Sequence, residues 1–141
     1  MNPPERSKKP LQYSCLTLPW KQLPDYPDIG SWKTNADNSP AFIGAADTGN
    51  DISNFAILIH EQVEAVWCWL NGVKEEDVTR FDQEFFKQQE LGRVPENAEP
   101  GHEKGCPYAF GHFLAEQVER YIVAAFQMTW NQHEENCEKV E

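Results

Sequence analysis

Residues 52–70 form the most hydrophobic stretch of the chain, yet His60-Glu61-Gln62-Val63-Glu64 lies in its middle. Ile52, Phe55, Ala56, Ile59, Val63, Val66, Trp67 and Leu70 recur at the spacing of one helical stripe, and a stripe of that period seeks burial. Ile57, Leu58, Cys68 and Trp69 make the remaining faces apolar too. The pattern therefore predicts a central helix covered on most sides. An imidazole and two carboxyls in such a helix are costly to desolvate unless something compensates them. A divalent metal ion is one such partner, and a hydrogen-bonded core network is the other.

Positions i and i+4 stand one above the other on a helix, so His60 and Glu64 project side by side. Glu61 follows about 100° further round the axis. That relation sets a general base beside the metal ligands in His-Glu-x-x-His peptidases. A glutamate here replaces the second histidine, and a mixed imidazole and carboxylate site suits zinc first, with iron, manganese or magnesium as alternatives. A third ligand is needed; His112 is the first candidate and Asp82 the second. His102, in the loop Glu99-Pro100-Gly101-His102-Glu103, is placed to approach as a ligand or substrate contact. His112, Glu116 and Glu119 share one helical line. That line lies largely opposite an apolar stripe, which predicts a solvated face. His133 falls in a polar tail, where no role is expected of it.

The organisation reads as a flexible arm over 1–10, one globular domain over 11–131 and a polar acidic tail over 132–141. Leu16–Leu18 and Ala41–Ala46 read as short strands between Pro, Asp, Asn and Ser clusters. Asp51 or Ser53 is the expected N-cap of the central helix, and Asn71-Gly72 its stop. A second helix is expected over 75–90, with Glu75, Glu76 and Asp77 in its first turn and Val78, Phe81 and Phe85 inward. After a loop over 92–106, Pro107 suits the first turn of a third helix running to about Asn131. Its expected core stripe is Phe110, Phe113, Leu114, Val118, Tyr121, Ile122 and Ala125. The predicted class is α+β, mainly helical with three principal helices and a small N-terminal β element, in a reduced zincin-like arrangement.

A formal net charge of −11 argues against a nucleic-acid partner, because phosphate binding needs clustered Lys and Arg. No apolar run is long enough for a membrane span, and no apolar segment follows the N-terminal charges as in an export signal. Cys15, Cys68, Cys106 and Cys137 are scattered without a Cys-x-x-Cys pair, so they read as reduced thiols of a cytoplasmic protein. Trp67 and Trp69 read as core. P-loop, serine-hydrolase and dinucleotide-binding patterns are absent from the sequence.

The ordered series Leu58-Ile59-His60-Glu61-Gln62-Val63-Glu64-Ala65, Phe81-Asp82, Glu99-Pro100-Gly101, Pro107-Tyr108 and His112-Phe113-Leu114-Ala115 with Glu119 resembles a family of small phage and prophage proteins. The resemblance covers about residues 28–126. It implies a metal site built between two helices from the positions of His60, Glu61, Glu64, Asp82, His112 and Glu119, within an infected or lysogenic host cell. It supplies no reaction. His102 and Glu103 depart from the acidic residues expected after Pro-Gly, and the third helix has a longer polar tail. Three functions follow as expectations. The first is a metal-dependent hydrolase of a small-molecule or peptide-like substrate, with Glu61 as general base. The second is an all-helical, magnesium-dependent nucleotide pyrophosphatase using Glu61 and Glu64. The third is a non-enzymatic phage accessory protein that binds a host protein.

Overall fold

The computed structural model describes residues 11–140; the expected arm over 1–10 lies outside the described residues. Three strands lead, β1 (Ser14–Leu18), β2 (Gly30–Thr34) and β3 (Pro40–Ala46). Four helices follow, α1 (Asp51–Leu70), α2 (Glu75–Glu90), α3 (Ala109–Ala125) and α4 (Trp130–Glu138). The class is α+β, as expected from the sequence, with one strand and one helix beyond those anticipated.

β3 is the middle strand, parallel to β1 and antiparallel to β2. Its Ile43, Ala45 and Ala46 are fully buried, as a central strand facing helices requires. β2 went unforeseen because Trp32 is its only large apolar residue. It forms through the turn after it: Asn35 N–H donates to the Ser39 carbonyl at 2.8 Å, and Asn38 adopts φ +66°, a conformation Asn tolerates. The hairpin carries Trp32 onto Ile43, Ala65, Cys68, Cys106 and Tyr108, the main buried cluster.

The N-cap of α1 is Asn50, one residue before Asp51 and three before Ser53. Asn50 is extended, and its side chain accepts from the Ser53 N–H at 2.9 Å, so Asn50 satisfies a first-turn donor. Asn71 and Gly72, at φ +70°, end the helix as the sequence implied. α2 spans the predicted range.

α3 stops at Ala125, short of the expected Asn131. Gln127 takes φ +61° and Met128 N–H returns to the Val123 carbonyl at 3.0 Å, the bond that closes a helix C-terminus. Thr129 then opens α4 with a capping box to Gln132. Part of the segment read as a tail is thus a docked helix, with His133 1% and Val140 9% exposed.

The facing of α1 and α3 also differs from expectation. α1 buries Ser53, Asn54, Ala56, Ile57, Glu64, Ala65 and Cys68, while Phe55 and Leu70 of its strongest apolar stripe are exposed. α3 buries Gly111, Ala115, Glu119 and Val123, whereas Phe110, Phe113 and Tyr121 face outward. Small residues explain the choice. A Cβ on Gly111 would stand 2.6 Å from the Trp67 ring, so glycine lets the two helices approach closely.

Candidate metal centre

His60 and Glu64 leave α1 one turn apart, toward α3. His112 enters from the start of α3, and Glu119 arrives two turns later on that helix. His60 Nε2 lies 3.4 Å from Glu64 Oε2, and His112 Nδ1 lies 3.0 Å from the same oxygen. One ligand atom from each of these three residues lies within 4.8 Å of the other two. The 3.4 and 3.0 Å separations at Glu64 are close to the edges of a tetrahedral zinc site, where ligands about 2.1 Å from the ion stand about 3.4 Å apart.

Each ligand is held from behind. His60 Nδ1 meets Glu119 Oε1 at 2.7 Å. With Nδ1 engaged by that carboxylate, Nε2 is the nitrogen that faces Glu64. Glu119 Oε2 pairs with His133 Nε2, and His133 Nδ1 meets Ser53 Oγ at 2.9 Å. Glu64 Oε1 accepts from Trp32 Nε1–H at 3.1 Å. The His112 ring rests on Gly101, where any Cβ would overlap it at 2.6 Å. A carboxylate–imidazole chain therefore runs from Ser53 through His133, Glu119 and His60 to Glu64 and His112.

The electrostatics follow from this pairing. Burial opposes charge on Glu64, but hydrogen bonds from His112 and His60 hold its carboxyl well below the usual range. Glu119 is likewise lowered: burial acts against it, and His133 and His60 outweigh that. Burial disfavours a charged His60, yet bonds to Glu119 and Glu64 raise its pKa well above the usual imidazole value. Among the described residues, Glu61 has no such donors. Burial, followed by repulsion from Glu64, raises its carboxyl well above the ordinary range. That carboxyl lies over Gly30, where a Cβ would stand 2.3 Å from Oε1.

These groups line one cavity of about 1140 Å³ between the sheet, α1, α2 and α3. Asp25, Asp28, Glu75 and Asp82 also line it, with Lys33 as a cation among them. Lys33 is already engaged, 2.8 Å from Asp25 and 3.3 Å from Glu75. Partial burial, then the charges of Asp25, Asp82 and Glu64, pushes Asp28 up to about 6. Burial pushes Asp82 up to about 6 as well, against the lowering effect of the Tyr108 hydroxyl. That hydroxyl donates to Asp82 Oδ1 at 2.5 Å.

Of the residues singled out from the sequence, His60, Glu64 and His112 converge. Asp82 stands apart from their ligand atoms: it belongs to the cavity wall and to Tyr108. The line of His112, Glu116 and Glu119 is not a solvated face, since Glu119 is 9% exposed and His112 and Glu116 line the cavity. His102 stays at the mouth, 52% exposed by its side chain, 3.7 Å from Glu99 and 3.8 Å from Glu116. Glu99, His102 and His112 also bring ligand atoms within 4.8 Å of one another. Sequence reasoning missed His133, Ser53 and Trp32. His133 had a readable signal, because Thr129-x-x-Gln132 is a helix start four residues before it.

No family model, curated protein or solved structure matches the chain.

Proposed function

We propose that this protein is a metal-dependent hydrolase whose ion is held by His60, Glu64 and His112, in a reduced zincin-like arrangement. One observation carries the reading: ligand atoms of His60, Glu64 and His112 lie within 4.8 Å of one another, and hydrogen bonds from Glu119 and Trp32 orient His60 and Glu64 from outside. A divalent ion there supplies Lewis acidity and a water acidic enough to ionise near neutral pH. Glu61 is the general base. Burial and the neighbouring Glu64 raise its carboxyl above the ordinary range, the direction that strengthens a carboxylate as a base. His102 and Glu99 stand at the mouth, where a substrate passes. With Asp25, Asp28, Glu75 and Asp82 on the wall and Lys33 already paired, the cavity favours neutral or amine-bearing substrates over polyphosphates. That balance weighs against the pyrophosphatase reading.

A non-catalytic reading has one observation in its favour. Among the described residues, no buried side-chain nitrogen or oxygen lacks a hydrogen-bond partner, so the chain of His and Glu is satisfied as a core network too. The two readings separate by zinc titration and by kinetics on a panel of small peptides and amides. The hydrolase reading expects about one zinc per chain, lost in His60→Ala and in His112→Ala. It also expects Glu61→Gln to keep the zinc while turnover falls roughly 10²- to 10⁴-fold. Wild-type protein that binds no zinc overturns it.

A further inference from the structure

Several exposed apolar side chains of α1 and α3 face away from the cavity. Phe55 and Leu70 of α1 are 45% and 40% exposed; Phe110, Phe113 and Tyr121 of α3 and Phe126 beyond it are 59%, 52%, 77% and 55% exposed. Ring contacts join the two helices at both ends, with Phe55 to Phe126 at 6.4 Å and Trp67 to Phe110 at 6.0 Å. The helices run antiparallel, since Gly111 at the start of α3 meets Trp67 near the end of α1.

This face carries little charge: apart from exposed Asp51, one turn before Phe55, and Arg120, two turns after Phe113 and 46% exposed by its side chain, the ionisable groups of both helices turn elsewhere. Between residues 52 and 70 the only acidic or basic side chains besides His60 are Glu61 and Glu64, and all three line the cavity. On α3, His112, Glu116 and Glu119 line the cavity as well, while Arg120 stacks 4.0 Å over the Trp130 ring. None of the six exposed residues lines the cavity.

We propose that the outer face of α1 and α3 is the interface of a homodimer, in which two antiparallel helix pairs meet about a two-fold axis. Three arguments select a second copy as the occupant. The six side chains expose roughly 600 Å² of their own surface, scaled from about 200 Å² for an aromatic side chain. Partly buried Ile59, Val63 and Val66 beside them add to a face that approaches the scale of about 800 Å² that a stable pair buries on each partner. An antiparallel helix pair whose outer face is mainly apolar is complementary to its own two-fold copy, giving a four-helix layer. Two chains of net charge −11 repel except through a neutral face such as this one, and the same charge disfavours an anionic bilayer. The proposal is independent of the metal reading, because the cavity stays open on the far side.

Sedimentation equilibrium of the full chain at high micromolar concentration tests it, with Phe55→Glu/Phe110→Glu and Phe113→Glu/Tyr121→Glu as variants. Each pair replaces exposed side chains, and circular dichroism checks that the fold survives. The expected result is a mass twice 16.2 kDa for wild type and a single-chain mass for a folded variant. A monomeric wild type overturns the proposal, as does a dimer that persists in both variants. Flotation with phosphatidylcholine vesicles in place of self-association would assign the face to a lipid surface and overturn it as well.

Discussion

His60 directs Nδ1 at Glu119, and that single hydrogen bond of 2.7 Å decides which nitrogen faces the cavity. Glu119 is in turn held by His133, so a residue outside the ligand set controls the ligand's orientation. Outer partners of this kind are worth roughly 10- to 100-fold in metal affinity. His133→Ala is therefore expected to weaken zinc binding by about that factor, measured by competition with a chromogenic chelator, while the stoichiometry stays at one. An unchanged affinity would make His133 a packing residue only. Asp82 gives a different test. Its folded pKa of about 6 lies above the ordinary carboxylate value, so the fold favours the protonated form. Its contribution to stability is then greatest at low pH and declines as pH rises through about 6. Asp82→Asn removes the charge and keeps an oxygen for the Tyr108 hydroxyl. In metal-free protein it should raise Tm at pH 8 and leave it near wild type at pH 4, followed by thermal denaturation at both.

At the scale of elements, α4 is the least expected part of the molecule and the one most tied to the centre. Nine residues are too few for a helix to persist alone in water. Docking stabilises it, through His133 on Glu119 and Ser53 and through Arg120 over Trp130. Thr129→Ala removes the N-cap acceptor of Gln132 N–H, a loss of about 1 kcal/mol. The expected outcome is a lower Tm together with faster amide exchange over 130–138, and slower exchange there would contradict a docked α4. α1 and α3 show the complementary lesson. A helical repeat reveals that a stripe exists, yet it does not say which of two stripes turns inward. Gly111 and Ala115 settle the matter for α3, because only small residues permit α1 to come as close as the imidazole–carboxylate pairs require.

Considered whole, the molecule separates its two unusual surfaces. The cavity gathers His60, Glu61, Glu64, His112, Glu116 and Glu119 of α1 and α3, while their outer side is mainly apolar. Zinc bound only by the folded chain stabilises it by RT ln(1 + [Zn]/Kd), about 4 kcal/mol at a thousandfold excess over Kd. Adding zinc to chelator-treated protein should therefore raise Tm by several degrees, and His60→Ala should abolish the shift. An equal shift in the variant would place the ion elsewhere.

The sequence alone determined the class, the spans of α1 and α2, and the presence of ionisable groups inside an apolar helix. Each of these rests on local periodicity, capping chemistry or desolvation, which neighbouring residues suffice to specify. It also paired His60 with Glu64 from their spacing and named His112 as the first candidate for a third ligand, although it expected the line of His112 on α3 to be solvated. Only the tertiary structure decided the rest. Trp32 reached Glu64 through a hairpin with a single large apolar residue in β2, and Asp82 was claimed by Tyr108. His133 came inside by way of a helix too short to stand alone. Those placements depend on contacts between distant segments, and a one-dimensional pattern does not encode which side of a helix its partners will occupy.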